Sequence, residues 1–180
     1  MKENRFGFTL VELLAAIVIL GVLSTIAFTS ITRMIDSNKN KIYINDAKRL
    51  ISYVEYKIKS DKKITKPTSG NGIVISLEYL NNQEFEKGPN NGEYVKDKSY
   101  VVVKNISGRL EYAVSLIERL NSGEYKGLSL TKDSSLTSSA SIQSFQEEEL
   151  ITIEQSSPTV SDINTKLGET YITGSIKIYS

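Results

Sequence analysis

Apolar residues are concentrated near the start of the chain. From Phe8 to Phe28 the sequence reads FTLVELLAAIVILGVLSTIAF, and Glu12 is the single charged residue in these 21 positions. At about 1.5 Å of rise per residue, a helix of this length spans roughly 30 Å, the thickness of a bilayer core. The stretch is longer than the apolar region of a secretory signal peptide, about 7 to 15 residues. The pattern therefore predicts a membrane-spanning helix over residues 8–28.

Beyond Phe28 the chain becomes polar but keeps apolar residues at helical spacing. They recur at steps of three and four, at Ile31, Met34, Ile35, Ala47, Leu50, Ile51, Val54 and Ile58. This period predicts that the same helix continues to about Lys59, for a total length of roughly 75 to 80 Å. An apolar stripe of this kind usually packs in a core. We therefore expect it to lie against a sheet formed by the same chain.

Turn and strand signals follow the helix. Pro67, Gly70 and Gly72 predict that the helix has ended and that a head begins. Residues 88–92, which read GPNNG, form a strong turn signal. The β-rich runs 100–103 and 110–116 flank Asn105-Ile106-Ser107-Gly108, and two such runs around a short loop predict a β-hairpin. Asn105-Ile106-Ser107 also fits a glycosylation triplet, which we interpret as turn chemistry.

The last third of the chain has a weaker pattern. Residues 129–146 are rich in Ser and Thr, which favours a surface loop. Residues 150–153 and 171–179 are rich in β-branched side chains and are predicted strands, the second of them in the sheet. The whole pattern predicts an α+β fold, in which a long N-terminal α-helix packs on a small antiparallel β-sheet head.

The predicted organisation has four parts. Residues 1–7 form a leader peptide and residues 8–28 form the transmembrane and polymerisation helix. Residues 29–66 contain the amphipathic continuation of that helix, and residues 67–180 form a globular α+β head. At 180 residues, the chain is long enough for one head with a real core.

Composition narrows the possible chemistry. The chain contains no Cys and no His, so disulfides, thiolate nucleophiles and imidazole bases or metal ligands are excluded. No phosphate-binding glycine loop or catalytic triad spacing is found. The acidic run at 147–149, with Glu154 and Asp162, lacks the spacing of an EF-hand, so a solvated acidic face is the favoured interpretation. We expect a protein that is not an enzyme, with no catalytic residues, metal or cofactor.

Charge is distributed unevenly, although the formal net charge is only +1. Residues 33–66 hold ten Lys or Arg against four Asp or Glu, a local balance of +6. Residues 133–165 hold six Asp or Glu and no Lys or Arg, a local balance of −6. The basic segment could attract anionic lipid, a neighbouring subunit or nucleic acid. Its Tyr residues fit helix packing as well as base contacts, so the sequence leaves a nucleic-acid partner open.

Glu12 is the anomaly within the apolar stretch. A carboxylate inside a membrane span costs about 2.5 to 3.5 kcal/mol on insertion scales. A plain anchor would avoid this cost unless the carboxylate had a partner. Glu12 is therefore predicted to have a functional role.

The string from Gly7 to Leu14, GFTLVELL, resembles the processing site of type IV prepilins and related pseudopilins. In that family a short charged leader ends in Gly, and Phe then opens the apolar helix. The resemblance implies that a prepilin peptidase cuts between Gly7 and Phe8 and that the new amino group of Phe8 is methylated. It also implies that Glu12 pairs with the Phe8 amine of a neighbouring subunit during assembly. The long helix followed by a hairpin is similar to the pilin head as well.

The resemblance implies a major or minor pilin of a type IV pilus-like filament, with adhesion, motility or secretion among its possible roles. The partners would be other pilins, the peptidase and methyltransferase, an inner-membrane assembly platform and the membrane. The chain would be a single-pass cytoplasmic membrane protein before assembly and extracellular in a pilus afterwards. One alternative is a pseudopilin of a type II secretion or competence DNA-uptake machine. The other is a monomeric membrane-anchored surface binding protein, which Glu12 disfavours because a monomer offers its charge no partner.

Overall fold

The computed structural model describes residues 9–137 and 140–180, and the chain divides after Asn38 into two compact units. The helices are Leu10–Ser60 (α1), Leu77–Leu80 (α2) and Val160–Leu167 (α3). The strands are Gly72–Ser76 (β1), Glu93–Tyr94 (β2), Tyr100–Ile106 (β3), Arg109–Arg119 (β4), Tyr125–Lys132 (β5), Ile142–Phe145 (β6) and Ile176–Tyr179 (β7). The prediction of an α+β fold with a long N-terminal helix and a sheet is confirmed.

In the first unit, α1 exposes its apolar side chains. The large apolar residues from Leu10 to Phe28 are 55 to 80% exposed. Ile31, Met34 and Ile35 are also exposed, at 46 to 67%. The prediction that these three residues pack on a sheet of the same chain is therefore wrong. Helical period reveals that a face is apolar but not what covers it.

The second unit is built on a seven-stranded sheet. The strand order is β6-β5-β4-β3-β1-β7, and the short β2 pairs with the end of β4. All these pairs are antiparallel except β1 with β7, which is parallel. The sheet was predicted to be antiparallel, and the parallel β1–β7 pair is the exception among its pairs. A parallel pair needs a long connection, and the chain between Ser76 and Ile176 supplies one.

One face of the sheet packs against the second part of α1. The predicted burial of Ala47, Leu50, Ile51, Val54 and Ile58 is confirmed. Tyr43 and Ile44 extend this buried stripe by one turn. Side chains alternate between the two faces along β3, so Val101 and Val103 join this core while Tyr100 and Val102 join another on the opposite face.

The second core lies between the sheet and the C-terminal part of the chain. Ile153, Ile163 of α3, Tyr171 and Ile172 are buried there with residues of β1, β3, β4 and β5. Both faces of the central strands are therefore apolar. This explains why β3 reads as a continuous apolar run rather than an alternating one.

Three predictions for the last third need correction. Residues 129–146 include the end of β5 and all of β6, so they are not one surface loop. Residues 150–153 form no strand, although Ile153 is buried and its N–H donates to the carbonyl of Asp97 at 2.7 Å. Of 171–179, only Ile176–Tyr179 is a strand, and it pairs with β1. Burial in the second core produced the apolar signal in 150–153 without strand pairing.

The β3–β4 hairpin is confirmed. Ile106 pairs with Arg109, which leaves Ser107 and Gly108 as a two-residue turn with φ of +50° and +93°. Positive φ at both positions is typical of a type I′ turn. The Asn105 side chain accepts from the Gly108 N–H and donates to the Pro67 carbonyl, both at 2.8 Å. The polar side chain of Asn105 therefore stabilises the turn.

Candidate functional site: the start of the long helix

Thr9 and Glu12 form a reciprocal hydrogen-bonded pair at the start of α1. The Glu12 Oε2 atom accepts from the Thr9 backbone N–H at 2.8 Å and from the Thr9 hydroxyl at 2.9 Å. The Thr9 Oγ1 atom accepts from the Glu12 N–H at 3.3 Å. This is a capping box, in which a Thr before the helix and an acid three residues later satisfy N–H groups that the first turn leaves without partners.

The capping box changes the interpretation of Glu12. The sequence suggested a carboxylate without a partner in its own chain, but Thr9 donates two hydrogen bonds to it. Both bonds end on Oε2, so the other carboxylate oxygen is not used by Thr9. Gly7 and Phe8, the predicted cleavage and methylation positions, lie outside the described residues. Pairing between Glu12 and a neighbouring Phe8 amine stays a prediction.

The same arrangement begins α3. Thr159 N–H and its hydroxyl each donate to Asp162 Oδ2 at 2.8 Å, and the Asp162 N–H donates to Thr159 Oγ1 at 3.3 Å. These hydrogen bonds from Thr159 hold the pKa of Asp162 below its ordinary value. The two boxes therefore have matching geometry, one in the head and one at the start of an exposed apolar helix.

In the apolar part of α1, the Ser and Thr hydroxyl groups form hydrogen bonds within the helix. All five Ser and Thr side chains between residues 24 and 32 donate to a carbonyl three or four residues earlier: Ser24, Thr25, Thr29, Ser30 and Thr32. A hydroxyl without a partner is costly in hydrocarbon, and a bond to the preceding turn removes that cost. This part of the helix therefore suits an apolar environment despite its polar residues.

Within the described part of the chain, α1 alone is long and apolar enough to cross a membrane by length and composition. Its most apolar window has a mean hydropathy of 2.5, and none of that window is buried in the chain. This property supports the predicted span over 8–28. The helix begins at Leu10, after the Thr9 cap.

The head contains a buried hydrogen-bonded cluster around one carboxylate, Glu118, which the sequence pattern did not predict. Glu118 of β4 is fully buried and accepts from the Tyr43 hydroxyl of α1. Its Oε1 atom accepts from the Asn90 N–H at 3.0 Å and the Gly92 N–H at 2.7 Å, and its Oε2 atom accepts from Asn90 Nδ2 at 3.0 Å. Burial and the Glu118 carboxylate raise the pKa of Tyr43. Glu118 thus ties the 88–92 turn and α1 to the sheet.

The sequence contained a signal for this cluster. Glu118 directly follows the apolar run that ends at Ile117, and the predicted turn at 88–92 supplies backbone donors. Gly92 is required for close approach, because a Cβ atom there would meet the Arg119 carbonyl oxygen. The contacts within the cluster could not be predicted from this signal, because Tyr43, Asn90 and Glu118 are far apart in sequence.

The charged runs are largely exposed. Glu147 lies 3.6 Å from Lys98 Nζ, and the Glu149 carboxylate accepts from the Gln146 N–H at 2.8 Å. Asp162 serves the α3 cap. Over residues 9–137 and 140–180, no group of three or more His, Cys, Asp or Glu is arranged to hold a metal ion. Local structure therefore accounts for much of the acidic run.

Comparison with known proteins supports the N-terminal assignment. Residues 3–28 match the model of the prokaryotic N-terminal methylation motif. Neither the curated proteins nor the solved structures yielded a match to this chain. The matched segment ends where the 8–28 apolar stretch ends and includes Gly7, Phe8 and Glu12. This N-terminal motif supports the resemblance of the chain to type IV prepilins and pseudopilins.

Proposed function

We propose that the chain is a structural subunit, a major or minor pilin, of a type IV pilus-like filament. The observation that carries the proposal is the methylation motif at 3–28, joined to an apolar helix whose large apolar side chains are exposed from Leu10 to Phe28. Pilin-type proteins are structural rather than enzymatic. The exposed apolar surface needs a membrane before assembly and other subunits afterwards.

Cleavage and methylation of the precursor would be the first steps. A prepilin peptidase cuts between Gly7 and Phe8 and removes Met1 to Gly7, and the new Phe8 amine is then methylated. The cut removes Lys2, Glu3 and Arg5. It leaves a free amine directly before the Thr9 cap, so one positive group and the Glu12 carboxylate occupy the same end of the helix in every subunit.

Assembly would then use Glu12 for register. Its Oε2 atom is held by Thr9, which fixes the direction of the carboxylate while the second oxygen remains for a cation. A neighbour's Phe8 amine supplies that cation at the correct axial height. A subunit at another height leaves both charges without partners in an apolar setting, which is strongly unfavourable. The pair therefore penalises misplaced subunits.

Intact-mass and N-terminal peptide analysis of purified filaments tests processing. We expect a chain that begins at methylated Phe8. In the Gly7→Val variant we expect uncut precursor in the membrane, because a side chain at the cleaved bond hinders the peptidase. Gly21→Val is the matched control, since a Cβ atom there meets nothing within 4 Å, and it should be cut normally.

Two results would overturn the proposal. The first is uncut chain, or a cut near residue 28, in assembled material. The second is absence of the chain from sheared filaments of cells that make it, which would favour a monomeric membrane-anchored protein. The first result rejects the processing site and the second rejects the filament.

A further inference from the structure

The charged residues of α1 limit how this helix can lie in a membrane. Between Glu12 and Arg33 the chain has 20 residues, Leu13 to Thr32, and none of them is charged. At about 1.5 Å per residue, this stretch extends over roughly 30 Å, which is the thickness of the hydrocarbon core of a bilayer. The uncharged stretch therefore matches the bilayer in length and has one charged residue at each end.

The polar side chains beyond Phe28 are compatible with hydrocarbon. The hydroxyls of Thr29, Ser30 and Thr32 each donate to a carbonyl three or four residues earlier, at 3.0 to 3.1 Å for the shortest bond of each. A hydroxyl that is bonded within the helix needs no water. The apolar span can therefore extend to Thr32, and Arg33 is the first residue whose entry into hydrocarbon is costly.

Arg33 is an exposed cation without a partner in its own chain. Its side chain forms no hydrogen bond or ion pair with any residue that the structure describes. Arg49, further along the same helix, instead pairs with Glu84 at 3.0 Å. A guanidinium group can donate two parallel hydrogen bonds to one phosphate group. The phosphates of phospholipids lie directly outside the hydrocarbon core, at the height where the uncharged stretch ends.

The apolar side chains that follow Arg33 fit the same layer. Met34 and Ile35 are 67% and 46% exposed in the chain. They lie about 3 to 5 Å beyond Thr32 along the helix, and each headgroup layer is about 5 to 7 Å thick. The exposed polar residues Ser37 and Asn38 come next, where the helix would enter water. A phospholipid layer would therefore cover Met34 and Ile35.

The other boundary of the uncharged stretch falls at Glu12. The Thr9 cap supplies partners for the Glu12 carboxylate and for N–H groups of the first turn, so this end suits a polar headgroup layer. Glu12 would then lie at the edge of the hydrocarbon, where the insertion cost of a carboxylate in the centre of a span does not apply. The hydrocarbon span moves from 8–28 toward the C-terminus by about one helical turn.

We propose that α1 crosses the membrane with Leu13 to Thr32 in the hydrocarbon core and that Arg33 binds the phosphate of a phospholipid headgroup. The proposal rests on the membrane stage of the proposed function, and it adds the height of the helix in the bilayer and the lipid contact. The match in length and the free guanidinium group both favour a phospholipid over a second copy of the chain as the partner of this surface.

Single Trp reporters test the position of the span, because the chain contains no Trp. The centre of Leu13–Thr32 falls next to Leu23 and the centre of 8–28 falls at Val18, about 7 Å away. Leu23→Trp and Val18→Trp replace side chains that are 56 and 57% exposed, and Ile35→Trp reports on the headgroup layer. The full chain is reconstituted in vesicles of phosphatidylethanolamine and phosphatidylglycerol, with acyl chains brominated near the headgroup or near the chain end.

Lipids brominated near the chain end should quench Leu23→Trp more than Val18→Trp. Lipids brominated near the headgroup should quench Ile35→Trp but not Tyr56→Trp, the matched control, which lies on the same helix and is 63% exposed. Quenching of Val18→Trp that equals or exceeds that of Leu23→Trp would overturn the shifted span and leave the membrane stage intact. Quenching of none of these reporters would reject the membrane stage as well.

Two other outcomes concern the surface beyond Thr32. Emission of Ile35→Trp at the wavelength of Trp in water would overturn the headgroup contact. Blue-shifted emission without quenching by either lipid would assign this surface to a second copy of the chain instead.

Solid-state NMR in the same vesicles tests the phosphate contact. Dipolar coupling between the labelled guanidinium carbons of Arg and the lipid phosphorus is detected only at short distance. Arg33→Gln should remove part of this signal. Arg49→Gln, the matched control, should leave it unchanged, because Arg49 pairs with Glu84 in the head. An unchanged signal in Arg33→Gln, or an equal loss in both variants, would contradict the assignment of the phosphate to Arg33.

Discussion

The two parts of α1 are both rich in apolar residues but have opposite surroundings. Between Tyr43 and Ile58 the apolar stripe is 0 to 5% exposed, because the sheet of the head covers it. Between Leu10 and Phe28 the large apolar side chains are more than half exposed. The first stripe covers one face, whereas the second is apolar all round. A helix that is apolar all round requires an apolar environment on every side.

This difference concerns the contribution of each part of the helix to folding. The residues near Leu50 are buried and contribute to the stability of the head, whereas the side chains near Leu14 are exposed in the chain. Substitutions of the same kind should therefore have different effects in the two parts.

Leu50 and Leu14 provide the strongest contrast. Leu50→Ala should lower the free energy of unfolding of the head by about 2 to 5 kcal/mol, because Leu50 is fully buried and its loss leaves a cavity. Leu14→Ala should change it by less than about 0.5 kcal/mol. Chemical denaturation of the full chain in detergent, followed by near-ultraviolet circular dichroism, measures both. Equal effects of the two variants would contradict the comparison.

Tyr43 tests the buried Glu118 cluster. Tyr43→Phe removes one donor from a buried carboxylate and should cost about 1.5 to 3 kcal/mol. Tyr56 lies on the same helix but is 63% exposed, so Tyr56→Phe should leave the stability of the head unchanged. The same denaturation experiment compares them. A stability of Tyr43→Phe equal to the wild type would show that Glu118 finds its donors elsewhere.

The two capping boxes provide the smallest effect. Thr159→Ala should destabilise the head by about 1 kcal/mol, whereas Thr9→Ala should not affect unfolding of the head. The pKa of Asp162 is lowered in the folded state, so the contribution of this carboxylate to the stability of the head is fully present above the ordinary Asp pKa of about 4. That contribution is lost as the pH falls through the lowered value. Unfolding curves from pH 7 to pH 2 should therefore converge for Thr159→Ala and the wild type in acid.

Local patterns predicted the parts of the fold that depend on neighbouring residues. The stripe from Ala47 to Ile58 and the Ser107-Gly108 turn follow from helical period and from turn chemistry. The exposure of Ile31, Met34 and Ile35 could not be predicted in this way, because a period does not identify the covering surface. The run 150–153 was wrongly predicted as a strand for a related reason, since Ile153 is buried without pairing.

Only the part of the candidate site that is contiguous in sequence could be predicted. GFTLVELL marked Gly7, Phe8 and Glu12 because the signal is contiguous in sequence. The Thr9 cap was also visible in principle, as a Thr three residues before an acid. The Glu118 cluster depends on contacts between distant segments, which no local pattern contains.

Incorporation of Glu12 variants into filaments tests whether the Glu12 carboxylate pairs with a neighbouring subunit. Glu12→Ala and Thr9→Ala both break the capping box, but only Glu12→Ala removes the carboxylate. Cleavage is measured by immunoblot mobility, and incorporation is measured by the amount of subunit in sheared filaments. Both variants should be cut after Gly7. Glu12→Ala should join filaments at least about tenfold less than Thr9→Ala, because loss of a buried charge partner costs several kcal/mol. Normal incorporation of Glu12→Ala, or equal loss in both variants, would contradict the pairing mechanism.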